Sequence, residues 1–124
     1  LFRSDIWEVR MNIAICDDDK EICRILGSKI TKIAPGSDID IYTSGRELID
    51  AGFFPDILLL DIKMPETDGM ETARILRNKG WKKILIFITG EGDHVFESFD
   101  VRAFHFLVKP FSDENRVYIS MWYI

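Results

Sequence analysis

Asp17 and Asp18 close one apolar run of this chain, Asp61 closes a second and Lys109 closes a third. The runs read Ile13-Ala14-Ile15-Cys16, Ile57-Leu58-Leu59-Leu60 and Phe104-His105-Phe106-Leu107-Val108. Each is short, bounded and rich in branched or aromatic residues, as buried strands are. Acids repeated at the C-terminal ends of buried strands are hard to explain by folding alone. Two carboxylates ~4 Å apart in an effective dielectric of ~20 repel by roughly 4 kcal/mol. Something positive should sit among them, and a divalent metal with a nearby lysine is the simplest candidate. Carboxylates are hard ligands for magnesium, which commonly takes one or two of them and keeps several waters. A carboxylate is also a nucleophile that gives an acyl phosphate. The Lys109 ammonium and the Thr89 hydroxyl are suited to holding phosphoryl oxygens. No glycine-rich phosphate loop is present, so the site is not built to grip a nucleotide.

Those side chains need a sheet whose strands all end on one rim. From Met11 the pattern alternates strand and helix. A strand over residues 11–16 leads to a helix over 19–33, with Ile22, Ile25, Leu26, Ile30 and Ile33 forming one apolar stripe. Pro35-Gly36 stops that helix. A short strand at 39–42 is followed by Ser44-Gly45-Arg46-Glu47, a capping box that starts a short helix ended by Gly52. A third strand spans 56–60. A turn from Pro65 to Gly69 opens a helix that runs to about Lys79. The fourth strand, 83–88, is the most continuously apolar and should be central. After Thr89-Gly90-Glu91-Gly92 come a short helix at 94–100 and a fifth strand at 103–108. Strands separated by helices imply right-handed crossovers and a parallel sheet covered on both faces. In such sheets ligands bind beyond the carboxyl ends of the strands, where the strand order switches direction. Asp17, Asp18, Asp61, Thr89 and Lys109 all fall there.

The ends of the chain depart from this pattern. Residues 1–10 look like a leader or remnant, leaving 11–124 as one domain. Phe111-Ser112-Asp113-Glu114 looks like a helix start, yet the stretch from Val117 to Ile124 is apolar nearly all round, with high strand propensity. The tail over 112–124 is therefore expected to be atypical or truncated.

Composition narrows the function classes. At 124 residues, 47% hydrophobic and 30% charged, the chain fits one soluble globular domain. It has no run of membrane-spanning length and no signal-peptide pattern. Its net charge of −5, with no basic block, argues against nucleic-acid binding by this chain. Cys16 and Cys23 are expected as small apolar residues in a reducing cytosol, with no zinc set and no disulfide framework.

The runs ending at Asp17-Asp18 and Thr89-Gly90, the stretch Leu58-Leu59-Leu60-Asp61-Ile62-Lys63-Met64-Pro65 with Asp68-Gly69, and Phe104 to Lys109-Pro110 resemble the receiver domain of two-component response regulators. The likeness covers about residues 11–111. Ile13-Ala14-Ile15-Cys16-Asp17-Asp18 and the stretch from Phe87 through Val95-Phe96-Glu97-Ser98-Phe99-Asp100 to Pro110 are similar to receivers of LytTR-type transcription regulators. The resemblance implies a flavodoxin-like α/β three-layer sandwich, with a five-stranded parallel sheet of order 2-1-3-4-5 and helices on both faces. It implies Asp61 as acceptor of a phosphoryl group from a sensor histidine kinase. Asp18 and Asp61 would be direct Mg2+ ligands with the Lys63 main-chain carbonyl, and Asp17 would act largely through water. Lys109 and Thr89 would hold phosphoryl oxygens. Phe106 would occupy the aromatic switch position, working by packing because it has no hydroxyl. The domain would signal rather than act as an enzyme in the cytoplasm, with homodimerisation through the face of the fourth helix, fifth strand and fifth helix. Any DNA-binding domain would lie outside this chain.

Rival readings fit less well. Haloacid-dehalogenase-like phosphatases want a second acid two residues after the nucleophile, where this chain has Lys63. A flavodoxin needs a hydroxyl- and glycine-rich loop after the first strand, whereas Asp17-Asp18-Asp19 would repel phosphate. A degenerate receiver acting only as a protein-binding module, or a stand-alone receiver, is the remaining alternative. Asp19 is read as a helix cap, His94 and His105 as surface or edge residues, and Lys63 and Glu91 either as solvated loop charges or as residues that tune the phosphate lifetime.

Overall fold

The computed structural model describes residues 10–90, 100–108 and 118–120. Its elements run β1 (Asn12–Cys16), α1 (Lys20–Ile33), β2 (Asp38–Tyr42), α2 (Gly45–Asp50), β3 (Ile57–Asp61), α3 (Gly69–Asn78), β4 (Ile84–Thr89), β5 (His105–Val108) and β6 (Tyr118–Ser120). The sheet order is β2-β1-β3-β4-β5-β6. The five strands from β2 to β5 are parallel, in the order expected from the sequence. A sixth strand, not foreseen as part of the sheet, adds antiparallel to β5, with Leu107 opposite Ile119. The tail's strand propensity is realised in β6, but its partner is a pairing that local pattern cannot name.

Alternation along the strands divides the core between the two faces. Ile13, Ile15, Leu59, Ile88 and Leu107 pack with Cys23, Ile25 and Leu26 of α1. Ala14, Leu58, Leu60, Leu85, Phe87 and Phe106 pack with Leu48 of α2 and with Met70, Ala73 and Leu76 of α3. Full burial of such side chains is worth roughly 1.5–3 kcal/mol each. One expectation needs correcting. Ile33 does not belong to the buried stripe of α1; it is 81% exposed in the last turn, and Cys23 joins the packed face instead.

The helix starts follow their capping chemistry. Asp19 precedes α1 and accepts from the Glu21 N–H at 2.9 Å, as its reading as a cap required. Ser44 accepts from the Glu47 N–H at 3.0 Å, while the Glu47 carboxylate reaches back to the Thr43 N–H at 2.8 Å. Asp68 caps α3 by accepting from the Glu71 N–H at 2.9 Å. Each cap satisfies a donor that the first helical turn leaves open. The caps therefore fix where each helix leaves the carboxyl rim. Residues 1–9, the expected helix over 94–100 except Asp100, Phe111 to Glu114 and the last four residues lie outside the described residues. No helix among the described residues is long and apolar enough to cross a membrane.

Candidate metal and phosphoryl site

Strand register brings the acids together. Cys16 pairs with Leu60, so Asp17 and Asp61 follow at the same level on adjacent strands. Asp61 in turn pairs with Ile88, one residue before Thr89. Asp17 is wholly buried, Asp61 is 3% exposed and Asp18 faces solvent. One oxygen from each of these three carboxylates lies within 4.8 Å of the others. The Asp17 backbone is anchored by its N–H donating to the Tyr42 carbonyl at 3.0 Å. Its Oδ1 accepts from the Asp19 N–H at 2.9 Å, which links the acid to the start of α1.

This donor set fits a hard divalent cation. Three carboxylate oxygens converge, two on buried side chains and one on the solvent side, which leaves room for water ligands. The Lys63 side chain is exposed in the loop after β3. Lys109 and Pro110 lie outside the described residues, as do Glu91 and His94.

The loop from β3 to α3 is built tightly against Asp61. The Ile62 N–H donates to the Ile88 carbonyl at 3.1 Å, and the Gly69 N–H to the Ile62 carbonyl at 2.7 Å. A Cβ on Gly69 would collide with the Asp61 carbonyl group and with the Ile62 Cα. Because the obstacle is backbone, no rotamer change relieves it. Gly69→Ala is expected to cost about 1–3 kcal/mol by overpacking and to shift Asp61 away from its partners. Urea melts and Mg2+ titration check this; an unchanged midpoint with unchanged Mg2+ affinity contradicts it. The sequence marked Asp68-Gly69 as a motif but gave no sign of this contact, because the colliding atoms are seven and eight residues earlier in the chain.

Thr89 and Phe106 stand on neighbouring strands, with Thr89 paired to Val108 and Phe87 paired to Phe106. Both Thr89 and Phe106 are buried. The Phe87 and Phe106 rings lie 5.9 Å apart at a tilt of 31°, a spacing in the favourable range for aromatic pairs. His105 is half-buried on β5, at the edge of the parallel set.

The two thiols sit on opposite faces of the sheet, Cys16 with the α2 and α3 side and Cys23 with the α1 side. Both are free and buried. The Cys23 thiol donates to the Asp17 carbonyl at 3.4 Å. Burial, reinforced by the charge of Asp17, pushes Cys23 up to about 11 and raises Cys16 as well. A thiol whose folded pKa lies above its unfolded value stabilises the fold fully below pH 9 and loses that contribution as pH rises through the folded value. Stability is therefore expected to fall between pH 9 and 11, and Cys23→Ala should flatten part of that fall. A denaturation series across this range checks it; a profile identical in the variant contradicts it.

A parallel α/β sheet of order 2-1-3-4-5, with carboxylates gathered at its carboxyl rim, defines a flavodoxin-like domain of the acid-pocket kind. Residues 13–118 match the family described as response regulator receiver domain, and the chain belongs to that family. Receiver domains are signalling modules of two-component systems, phosphorylated by sensor histidine kinases. Among similar proteins is the positive alginate biosynthesis regulatory protein of Pseudomonas aeruginosa, 32% identical over 113 residues, covering 85% of this chain and 44% of that protein. The sensory transduction protein LytT of Oceanobacillus iheyensis is 39% identical over 63 residues, covering 49% of this chain and 26% of that protein. The chain thus spans less than half the length of these curated relatives. The response regulator protein TrrA from Thermotoga maritima, solved in complex with Mg(2+)-BeF, has a TM-score of 0.71 and 25% identity, covering 83% of this chain and 89% of that one.

Proposed function

We propose that residues 11–124 form a receiver that takes a phosphoryl group from the phosphohistidine of a sensor kinase onto Asp61. The observation that carries this reading is the convergence of Asp17, Asp18 and Asp61 within 4.8 Å at the rim. In the reaction, an Asp61 carboxylate oxygen forms a bond to phosphorus as the phosphorus–nitrogen bond of the donor breaks. The electron pair of that bond leaves with the imidazole, and the product is an aspartyl phosphate. Asp18, Asp61 and the Lys63 main-chain carbonyl would hold Mg2+, with Asp17 acting largely through water. When bound, that ion supplies charge neutralisation for the phosphoryl oxygens. Lys109 pairs with one phosphoryl oxygen and the Thr89 hydroxyl donates to another.

The added negative charge draws Thr89 inward and biases Phe106 between two packings. The signal leaves through the face formed by the fourth helix, the fifth strand and the fifth helix, and a homodimer forms through that face. The partial LytT relative supports a LytTR-type regulator whose DNA-binding part lies outside this chain. Such a regulator works in the cytoplasm, and this chain neither contacts DNA nor enters a membrane.

The test is chemical. Incubation with acetyl phosphate and Mg2+ should add one phosphoryl group to the intact chain, and neutral hydroxylamine should remove it, as it does acyl phosphates. An adduct stable to hydroxylamine overturns the reading, and so does the absence of any adduct.

A further inference from the structure

Arg77, in the last turn of α3, plays no part in the acid pocket, yet its guanidinium is the most heavily engaged polar group among the described hydrogen bonds. Nε donates to the Val101 carbonyl at 2.7 Å and Nη2 to the Arg102 carbonyl at 3.1 Å. Nη1 donates to the Trp81 carbonyl at 3.2 Å and the Lys83 carbonyl at 2.8 Å. The guanidinium carbon lies 4.3 Å from the centre of the Trp81 ring. Trp81 is itself buried and donates its indole N–H to the Pro55 carbonyl at 2.7 Å. The acceptors form two groups. Trp81 and Lys83 lead directly into β4, and Val101 and Arg102 lead into β5.

The second group is also strained. Arg102 has φ +56, a left-handed backbone that a side chain disfavours. Such a conformation persists only where surrounding contacts hold it. The Arg77 bond to its carbonyl is one such contact. Nearby, the Phe104 N–H donates to the Leu85 carbonyl at 2.7 Å, the first link between the two segments before their strands pair. A planar fork with five donors can span two chain segments at once, which the point charge of a lysine cannot do.

We propose that Arg77 is a positioning residue for the switch: by tying the starts of β4 and β5 to α3, it sets the frame in which Thr89 and Phe106 move together. This rests on the reading of Thr89 and Phe106 as the switch pair. The carboxylates of the acid pocket stand at the ends of β1 and β3, and none of the four Arg77 bonds reaches either strand.

The test compares the full chain with Arg77→Lys. Mg2+ affinity is read by titration, beryllofluoride affinity at saturating Mg2+ by melting shift, and backbone freedom by residue-resolved amide hydrogen exchange. The lysine variant should keep Mg2+ affinity within about twofold while losing at least about fivefold in beryllofluoride affinity. Exchange should accelerate in residues 85–89 and 104–107 but not in β1 or β3. Equal beryllofluoride affinity, or acceleration spread evenly over all strands, overturns the proposal. If the wild-type chain binds no beryllofluoride, the phosphoryl reading fails. The clamp then stands or falls on whether the faster exchange is confined to the β4 and β5 segments. Should Arg77→Lys not fold, Arg77→Met keeps an apolar stem beneath the Trp81 ring, removes the donors and carries the same comparison.

Discussion

Asp61→Asn is expected to abolish phosphoryl capture from acetyl phosphate, lowering the rate by several orders of magnitude, as removal of a nucleophile does. The amide is nearly the same size as the carboxylate, so the fold should survive. Asp61 ends β3 within the sheet, its strand paired on both sides by β1 and β4, and the substitution leaves those backbone bonds in place. What is lost is the anionic oxygen that forms the bond to phosphorus. Mass spectrometry of the intact chain reads the result. A variant that gains the phosphoryl group as fast as wild type would move the acceptor elsewhere. Asp17→Asn is a useful contrast: it removes charge from the same pocket but leaves the proposed nucleophile, so it should slow capture without eliminating it.

The second large effect concerns the cation. Mg2+ at ~100 times its dissociation constant should stabilise the fold by about 2.7 kcal/mol, a melting shift of roughly 10 °C for a domain of this size. Asp18→Ala should remove most of that shift, because Asp18 supplies the solvent-side oxygen of the three-carboxylate set. In metal-free buffer the sign reverses. Asp18→Ala should melt no lower than wild type, since one of three mutually repelling charges has gone. Thermal melts with and without Mg2+ check both arms. A variant that responds to Mg2+ as fully as wild type contradicts the assignment of Asp18 as a ligand.

Features read from the sequence correctly were those whose cause is local. Acids at strand ends follow from a few consecutive residues, and register then carries Asp17 and Asp61 to one level without further information. The caps at Asp19 and Ser44 are also local, since their donors lie two and three residues ahead. Boundaries moved by only a residue or two. β3 ends on Asp61 rather than before it, and β5 begins at His105 after an irregular Ala103 and Phe104.

What the sequence hid depends on distant partners. Ile33 continues the helical stripe of α1 by spacing, but it is the last residue of the helix and its side chain meets water. Trp81 sits between Gly80 and Lys82-Lys83, where a loop reading is natural, and nothing nearby reveals that the indole fills the core beneath Pro55. Arg77 reads as an ordinary cation in a last helical turn, which the helix dipole favours. Two of its acceptors lie 24 and 25 residues onward, beyond any periodic signal. The pairing of β6 with β5 is likewise a contact between segments. Local strand propensity announces the strand and leaves its neighbour open.

The central claim is that the rim acids capture phosphorus on one of their number. Borohydride reduction of the phosphorylated chain, followed by peptide sequencing, tests this most directly, because an aspartyl phosphate is reduced to homoserine while free aspartates are untouched. Homoserine at position 61 alone is the expected result. Homoserine at position 17, 18 or 68, or an unmodified position 61 in a chain that carries the phosphoryl mass, would contradict it.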